Sequence, residues 1–312
     1  MSLCLVTGGA GFIGSHLADG LLRAGHRVRI LDDLSTGKRE NVPAAAELIR
    51  GDLRRSDDVR AAMQGVDLVL HQAALPSVAR SLEDPAGCFE VNVRGLVHLL
   101  EAARSVGARR VVVAGSSSVY GDAPELPKRE EMGFHPLSPY AASKAAAEIY
   151  CGAWHRLYGL PTVVLRYFNV FGPRQDPSSE YSAVIPRFAS ALLKGEAPVI
   201  CGDGRQSRDF TYVDNVVDAN LLALSAPGAP GGIFNIACGE RIDLLTLVGL
   251  LQELTGRRIA PRHAPPRVGD VPHSLADVTR ARELLGFRPR VDFKEGLRRT
   301  VEALRLGRPE RD

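Results

Sequence analysis

A glycine-rich turn near the start of the chain constrains the fold more strongly than any other feature of the sequence. The letters GAGFIG at residues 9–14 directly follow the apolar run from Leu3 to Thr7 and open a helical pattern. Gly8 allows a tight turn, Gly11 has no Cβ to block a pyrophosphate, and Gly14 lets the helix pack closely on the strand. Because free backbone N–H groups begin that helix, the sequence predicts a phosphate-binding turn there.

The first half of the chain alternates short β-branched runs with longer helical patterns, which is typical of βαβ units in a parallel sheet. The predicted strands cover residues 3–7, 27–31, 46–50, 68–71, 111–114 and 162–166. The predicted helices cover residues 13–23, 57–63, 88–105 and 139–158. We therefore expect an α/β fold, a doubly wound parallel sheet of the Rossmann type with a smaller C-terminal substrate-binding lobe.

The character of the chain changes after Asn169, where prolines and serines predict a loop-rich segment that leaves the sheet. We expect residues 1–168 to form the dinucleotide-binding domain, together with a returning segment near 207–238 that carries a strand at 232–237. Residues 169–206 and 239–312 are then expected to form the second lobe.

The charge and cysteine content exclude several classes of function. The net charge of +3 comes from 39 basic and 36 acidic residues that are interspersed, so no basic patch for nucleic acid or a membrane surface is expected. The five cysteines form no C-x-x-C pair, which favours a reducing compartment and gives no metal site. Without a signal peptide or a bilayer-length apolar run, we expect a soluble cytoplasmic protein.

Polar and small residues follow the predicted strands at their carboxyl ends. Asp32 closes the second strand, where an acidic side chain accepts hydrogen bonds from the ribose of a dinucleotide and would repel a 2′-phosphate. Asp52 follows the third strand, and Gln72, Ala73 and Ala74 follow the fourth. Since a doubly wound sheet binds its ligand at this edge, the sequence predicts an NAD site in preference to an NADP site.

Tyr140 and Lys144 stand four residues apart in an Ala-rich helical segment, so their side chains share one face. Lowering the pKa of a phenol from about 10 to about 7 requires roughly 4 kcal/mol. An ammonium at about 4 Å supplies about that much at an effective dielectric constant near 20. We expect Lys144, helped by a positively charged nicotinamide, to make Tyr140 a catalytic acid and base.

Three hydroxyl residues, Ser116, Ser117 and Ser118, end the fifth predicted strand at the same edge of the sheet. A hydroxyl there can hydrogen-bond a substrate oxygen while its proton moves to Tyr140. The residues by themselves leave open which of the three serines makes that contact.

Five motifs carry a family resemblance that extends over nearly the whole chain. They are TGGAGFIGSHL, the serine cluster before VYG, SPYAASK, LRYFNVFGPRQ and SRDFTYVDNV. In this order they resemble the extended short-chain dehydrogenases that act on nucleotide sugars, and most closely the NAD-dependent UDP-glucose and UDP-N-acetylglucosamine 4-epimerases.

The resemblance implies a reaction without net oxidation. Tyr140 would take the proton of the sugar C4 hydroxyl while hydride passes from C4 to a tightly held NAD, with Lys144 and Ser116 in support. Ser116 is favoured because it stands four residues before Tyr120, where the family places Ser or Thr. The 4-keto sugar would then turn its other face and take the hydride back, so NAD is retained.

The resemblance also implies contacts for the two ligands. Asn169, Arg208 and Arg267 would bind the UDP diphosphate, Phe168 would lie near the nicotinamide, and Asn92 resembles an anchoring asparagine close to the cofactor. The residues expected to contact NAD are Gly8, Gly11, Phe12, Ile13, Gly14, Asp32, Asp33, Ser35, Gly37, Asp52, Leu53, Gln72, Ala73, Ala74, Asn92, Tyr140, Lys144 and Phe168. Those expected to contact the sugar nucleotide are Ser116, Ser117, Ser118, Asn169, Ala183, Val184, Val199, Arg208, Arg267, Asp270 and Ser274.

The substrate choice depends on small side chains. The resemblance implies that epimerases confined to UDP-glucose and UDP-galactose carry a bulky Tyr at the position of Ser274. Ser274 is small and Ala183 adds room, so an N-acetyl group is expected to fit. Ser117 and Ser118 occupy the places of the acidic residues that related dehydratases and decarboxylases need, which leaves epimerisation.

Two alternatives remain open. A UDP-glucuronate 4-epimerase would need polar partners such as Gln175 or Arg80 for its carboxylate, and a non-catalytic NAD-binding regulator would not need Tyr140. The resemblance further suggests a homodimer packed through helices near residues 91–103 and 141–154.

Overall fold

A computed structural model describes residues 1–177, 183–265 and 271–307. Its strands are β1 Leu3–Thr7, β2 Arg27–Asp32, β3 Glu47–Arg50, β4 Leu68–His71, β5 Arg110–Ser116, β6 Thr162–Tyr167, β7 Val170–Phe171, β8 Val199–Cys201, β9 Ser207–Arg208, β10 Thr211–Tyr212, β11 Ile233–Ile236, β12 Ile242–Asp243 and β13 Arg262–Ala264. Its α-helices are α1 Phe12–Arg23, α2 Ser56–Ala62, α3 Val78–Glu83, α4 Pro85–Phe89, α5 Gly95–Ser105, α6 Pro139–Tyr158, α7 Val184–Lys194, α8 Val213–Ser225, α9 Leu244–Thr255, α10 Thr279–Leu285 and α11 Phe293–Leu306.

Seven parallel strands form the main sheet in the order β11-β6-β5-β4-β1-β2-β3. The chain builds outward from β1 in one direction and then returns to continue from β4 in the other, so the strand order reverses between β1 and β4. Ligands of such sheets bind at the carboxyl ends of the strands beside that reversal. The predicted doubly wound fold is therefore confirmed, and it directs attention to the residues that follow β1 and β4.

The predicted strands of the sheet are all present, with small shifts at their ends. The fifth strand extends to Ser116, which brings the first serine of the cluster into the sheet itself. The strand predicted to return to the sheet is β11, and the structure pairs it with β6.

The helix predicted over residues 88–105 is interrupted. A π-helical stretch, Glu90–Arg94, separates α4 from α5. Asn92 lies in this stretch, and π-helical turns are frequent where a helix adapts to a functional site. A pattern based on 3.6 residues per turn cannot show such an interruption, because the apolar periodicity continues through it.

Both faces of the sheet are covered by helices. Side chains alternate along β1, so Leu5 belongs to the core beneath α5 and α6, whereas Val6 belongs to the core beneath α1 and α8. A separate cluster, which contains Phe171, Phe210 and Phe293 and residues of α7, α9 and α11, forms the core of the second lobe.

The last part of the chain serves both lobes. The sequence predicts that residues 239–312 belong to the second lobe, but Ala281 and Leu285 of α10 pack with β11 and α8 in the core of the sheet. Main-chain hydrogen bonds between Lys128 and the segment around Leu275 hold this part of the chain beside the sheet. No helix within the described ranges combines the length and the apolar character that crossing a bilayer requires.

Candidate active site

The glycine turn between β1 and α1 has the geometry that the sequence predicts. Gly8 has φ of +70°, and the N–H of Gly11 donates to the Gly8 carbonyl oxygen over 3.1 Å. A Cβ added at Gly14 would lie 2.1 Å from that oxygen, and one added at Gly8 would lie 2.7 Å from the nitrogen of Ala73. A Cβ on Gly11 would meet only the Gly8 oxygen, at 3.2 Å, so the space on its other side is open.

This turn fits a pyrophosphate. Helix α1 begins at Phe12, and Gly11 at its N-cap provides no side-chain acceptor for the first N–H groups. Phe12 and Ile13 are half-buried at this helix start. Unpaired N–H groups at a helix N-terminus attract an anion, so the turn can hold the phosphates of a dinucleotide.

Asp32 lies beside the glycine turn at the end of β2. Its carboxylate accepts hydrogen bonds from the N–H groups of Ala10 and Leu34, both over 2.9 Å. Gly37 closes over it, since a Cβ there would lie 3.0 Å from an Asp32 carboxylate oxygen. Burial raises the pKa of Asp32. Each carboxylate oxygen keeps a further lone pair, so Asp32 can still accept bonds from ribose hydroxyls.

Three other residues expected to contact NAD have different surroundings. Asp33 is exposed and accepts hydrogen bonds from the N–H and the hydroxyl of Ser35. Asp52 is half-buried and paired with Arg54, whose hydrogen bond lowers the pKa of the Asp52 carboxyl. Leu53 is 6% exposed and its side chain belongs to the core, so any contact with NAD would be through its main chain, and that contact stays a prediction.

The residues after β4 lie directly next to the glycine turn. The N–H of Ala73 donates to the Thr7 hydroxyl over 3.3 Å, and the side-chain amide of Gln72 donates to the Tyr167 hydroxyl over 3.1 Å. Gln72, Ala73 and Ala74 are half-buried. They therefore line the point where the strand order reverses, as the sequence predicts.

Asn92 connects this loop to the helix that carries the tyrosine. Its side-chain oxygen accepts from the Leu75 N–H over 2.7 Å, and its side-chain nitrogen donates to the Ser143 hydroxyl over 2.9 Å. Ser143 in turn donates to the carbonyl oxygen of Tyr140 over 2.7 Å. Asn92 thus holds the β4 loop and α6 at a fixed distance, which agrees with the expected anchoring role.

Helix α6 presents Tyr140 and Lys144 on the same face, towards the end of β5. The Lys144 ammonium donates to the Ala114 carbonyl oxygen over 2.8 Å and lies 5.8 Å from the centre of the Tyr140 ring. The Ser116 side chain lies near the Tyr140 phenol and acts to lower its pKa. Local sequence explains the start of α6, since the Ser138 side chain accepts from a first-turn N–H and Pro139 follows it.

Burial shifts the pKa values of both members of this pair. It raises the pKa of Tyr140, and the Ser116 side chain opposes that shift without reversing it. Burial also lowers the pKa of Lys144 to about 8. Removal from water disfavours both charged forms, so the chain by itself does not lower the phenol pKa. The prediction includes a cationic nicotinamide beside the pair, and it stays a prediction.

The structure distinguishes the three serines. Ser116 is 9% exposed, lies near the Tyr140 phenol, and accepts hydrogen bonds from the N–H and the hydroxyl of Ser118 over 3.1 and 2.8 Å. Ser117 and Ser118 are half-buried in the following 3₁₀ turn. The geometry therefore favours Ser116 as the hydroxyl that works with Tyr140.

Asn169 and Ser274 come together from distant parts of the chain. Asn169 has φ of +34°, and its side-chain nitrogen donates to the Asp209 carbonyl oxygen over 2.9 Å and to the Ser274 hydroxyl over 3.4 Å. Arg208 donates to the Pro272 carbonyl oxygen over 3.1 Å, beside the same segment.

The remaining expected substrate residues are more dispersed. Ala183 is exposed at the N-cap of α7, Val184 is its first residue, and Val199 is half-buried in β8 of the second lobe. Arg267 and Asp270 lie outside the described residues.

Phe168 directly follows β6 at the carboxyl edge of the sheet. Its side chain is fully buried and packs with Tyr120, Ala145 and Ala276 in a small core cluster. Its expected place near the nicotinamide stays a prediction.

Sequence reasoning missed several residues that shape the site. The Ser81 hydroxyl accepts the N–H of Tyr140 over 3.1 Å and so fixes the start of α6. The carboxylate of Asp209 is buried among main-chain N–H groups near Asn169. Asp209 stands within the SRDF motif, which was a usable signal, whereas nothing in the local pattern points to Ser81.

The fold and this arrangement of side chains define an α/β enzyme that holds a dinucleotide against a tyrosine–lysine pair. A family model described as the NAD dependent epimerase/dehydratase family matches residues 4–237. The chain belongs to this family, and NAD is its cofactor.

Individual relatives are similar over nearly their full length. The chain is 43% identical over 308 residues to a UDP-glucose 4-epimerase of Mycolicibacterium smegmatis, which covers 96% of this chain and 98% of the relative. A UDP-glucose 4-epimerase from Thermotoga maritima, solved with UDP-glucose, superposes with a TM-score of 0.95 at 39% identity and covers 98% and 99% of the two chains.

A third comparison concerns an N-acetylated sugar. A UDP-N-acetylglucosamine 4-epimerase from Methanobrevibacter ruminantium M1, solved with UDP-N-acetylmuramic acid, superposes with a TM-score of 0.94 at 40% identity. It covers 98% of this chain and 99% of the other chain. UDP-glucuronate 4-epimerases are also among the similar proteins.

Proposed function

We propose that the protein is an NAD-dependent UDP-sugar 4-epimerase that accepts UDP-N-acetylglucosamine as well as UDP-glucose. The choice of substrate rests on one contact, in which the side-chain nitrogen of Asn169 donates to the hydroxyl oxygen of Ser274 over 3.4 Å. A small hydroxyl next to a residue expected to bind the diphosphate leaves room where a bulky side chain would stand. The UDP-N-acetylglucosamine 4-epimerase that is 40% identical to this chain supports the same choice.

The chain's own groups can carry out the proton transfers. Bound NAD supplies a reversible hydride acceptor. Tyr140 accepts the proton of the sugar C4 hydroxyl and later returns it to the same oxygen. Ser116, which lies near Tyr140, orients the phenol and donates to the sugar oxygen as its charge changes. Lys144 is held in place by its hydrogen bond to the Ala114 carbonyl oxygen. While it is protonated, it keeps a positive charge near the Tyr140 phenol during these proton transfers.

The diphosphate contact of Asn169 is expected to involve an exchange of partners. Its side-chain nitrogen donates to the Asp209 carbonyl oxygen over 2.9 Å and to the Ser274 hydroxyl over 3.4 Å. The longer bond is the weaker of the two. A phosphate oxygen that replaces it would free the Ser274 hydroxyl to face the sugar.

UDP-glucuronate remains the second candidate substrate, since epimerases acting on it are similar to this chain. Its carboxylate needs polar or basic neighbours near C6. Gln175, however, donates to the Val170 carbonyl oxygen over 3.2 Å, and Arg80 lies exposed on α3. The positions of Gln175 and Arg80 therefore do not favour UDP-glucuronate as the substrate. A non-catalytic NAD-binding regulator would need neither Tyr140 nor Lys144, whereas both are placed on one face of α6, with Lys144 held by the Ala114 carbonyl oxygen.

We further propose a homodimer in the cytoplasm. Helix α6 exposes Ile149, Leu157 and Tyr158, with 59%, 73% and 49% of their surfaces accessible. Exposed apolar side chains that cluster on one helix are typical of an interface. All five cysteines are free thiols, which fits a reducing compartment. Sedimentation velocity would test the dimer, and a single monomeric species at micromolar concentration would contradict it.

The experiment that tests the substrate choice is direct. The purified protein is incubated separately with UDP-glucose, UDP-N-acetylglucosamine and UDP-glucuronate without added NAD, and the C4 epimers are separated by chromatography. We expect conversion of the first two sugars. Conversion of UDP-glucuronate in place of them would favour the second candidate, and conversion of none would support a non-catalytic protein.

A further inference from the structure

Asp209 occupies an unusual position for a carboxylate. It lies between β9 and β10, is 0% exposed, and accepts three hydrogen bonds from main-chain N–H groups. The donors are Cys238 over 2.9 Å, Gly239 over 3.0 Å and Ala276 over 3.2 Å. These donors belong to two segments that are separate in sequence, the loop after β11 and the segment before α10.

The main chain of Asp209 contacts a third segment. Its carbonyl oxygen accepts from the side-chain nitrogen of Asn169, which follows β6. The same nitrogen reaches Ser274, two residues before the Ala276 N–H that the carboxylate holds. Asp209 therefore links the ends of β6 and β11 and the segment that carries Ser274 at a single point.

A carboxylate in this position is costly for the folded protein. Burial raises the pKa of Asp209 to about 6, although the backbone hydrogen bonds oppose this shift. Among the described residues, no lysine or arginine forms an ion pair with it. A buried charge that only amide dipoles stabilise is less favourable than a neutral group would be. Such a cost suggests a role in function rather than in stability.

We propose that Asp209 is a positioning residue that holds Asn169 and Ser274 in the relative arrangement required to bind the UDP part of the substrate. This inference rests on the proposed function. Asp209 itself touches no substrate, because it is fully buried. It acts through the segments that its two carboxylate oxygens and its carbonyl oxygen hold.

An asparagine cannot replace this carboxylate. The side-chain amide has one acceptor oxygen and an NH₂ group that would face a main-chain N–H, so at least one bond is lost and two donors oppose each other. The segments around Cys238 and Ala276 would separate, and Asn169 and Ser274 would move with them. For Asp209→Asn we expect the dissociation constant for UDP to rise at least about tenfold, which corresponds to about 1.4 kcal/mol.

Asp243 provides a matched control. Its carboxylate also accepts a main-chain N–H in the second lobe, from Thr246 over 2.8 Å, but this donor lies in the helix that Asp243 caps. Asp243→Asn therefore removes the same charge without touching the Asp209 contacts. We expect its UDP affinity to equal that of the parent.

The test is titration calorimetry with UDP at pH 7.5 on the NAD-containing protein as purified, for the parent and both variants. We expect weaker binding for Asp209→Asn only, together with a raised KM and a kcat within about twofold of the parent. Equal UDP affinity of Asp209→Asn and the parent would overturn the inference. A parent protein that binds no UDP would instead overturn the proposed function.

A second measurement does not depend on the folding of a variant. The titratable or charged groups around Asp209 are Cys238 and Glu240 on the loop after β11, Asp277 next to Ala276, and the adjacent Arg208. Burial raises the pKa of Cys238 to about 12, and hydrogen bonding to Thr279 lowers the pKa of Asp277.

In the parent we therefore expect the KM for UDP-glucose to rise as the pH falls through about 6, because protonated Asp209 becomes a donor. The diphosphate of UDP-glucose does not change its charge in this range. The Asp243→Asn variant should show the same profile as the parent. A KM that stays constant between pH 5 and pH 8 would contradict the inference even if Asp209→Asn cannot be purified.

Discussion

The ammonium of Lys144 donates a hydrogen bond to the carbonyl oxygen of Ala114 over 2.8 Å. This bond fixes the cation to the end of β5 at a point 5.8 Å from the centre of the Tyr140 ring. Because both side chains are buried, desolvation lowers the pKa of the lysine to about 8 and raises the pKa of the tyrosine. The pair is therefore oriented for proton exchange by the chain, but its charge state depends on what else is bound.

The buried lysine predicts a specific pH dependence of stability. Unfolded Lys144 keeps its proton up to about pH 10.5, whereas the folded protein releases it near pH 8. The unfolded state thus binds more protons between these values, and the folded state gains stability as the pH rises. The free energy of unfolding of the parent, minus that of Lys144→Met, should increase by about 2 kcal/mol between pH 7 and pH 9.5.

Urea unfolding monitored by far-UV circular dichroism at both pH values measures this difference. Contributions of other titrating groups cancel, since both proteins share them. A difference that is constant or falls with pH would show that Lys144 is not desolvated in the folded state.

Tyr140→Phe should abolish turnover while leaving the fold and the cofactor in place. Removal of one positioned acid and base lowers kcat by about 10² to 10⁴-fold. The ring and its packing are retained, so bound NAD released on denaturation should equal that of the parent. Tyr150→Phe, on the exposed part of the same helix, is the control and should keep full activity. Unchanged epimerisation by Tyr140→Phe would remove this tyrosine from the mechanism.

Gly14→Ala should weaken the binding of NAD. A Cβ at this position would lie 2.1 Å from the Gly8 carbonyl oxygen, so the turn must open. We expect this variant to purify with less than about a tenth of the NAD found in the parent, because the backbone N–H groups at the start of α1 would no longer point together at the pyrophosphate. Gly249→Ala, in α9 with open space around its Cβ, should retain NAD fully. Equal NAD content in both variants would contradict the assignment of the turn.

Ser274→Tyr should separate the two substrates. A tyrosine next to Asn169 would fill the space expected for an N-acetyl group and leave UDP-glucose able to bind. We expect kcat/KM for UDP-N-acetylglucosamine to fall by about 100-fold or more, with a change of less than about fivefold for UDP-glucose. Ser274→Ala should keep both activities. An equal loss on both sugars would mean that Ser274 does not control substrate size.

Much of the fold followed from local patterns. The glycine turn, the strands of the sheet and the Tyr140–Lys144 spacing depend on neighbouring residues, and the structure reproduces them. Local patterns did not show that the side chains of Leu53 and Phe168 are buried. Each stands next to residues expected at the site, but tertiary packing places its side chain in a core.

The sequence by itself determined the sheet, the dinucleotide turn and the helix face that carries the tyrosine, because these depend on backbone sterics and short-range periodicity. The tertiary structure decided which distant segments meet. Asn169 and Ser274 are 105 residues apart and make contact. The Asp209 carbonyl oxygen accepts from the Asn169 side chain, and its carboxylate accepts from the Ala276 N–H, two residues after Ser274. Tertiary packing also shifted the pKa values of Tyr140 and Lys144, since desolvation is set by every atom packed around a group and not by its neighbours in the chain.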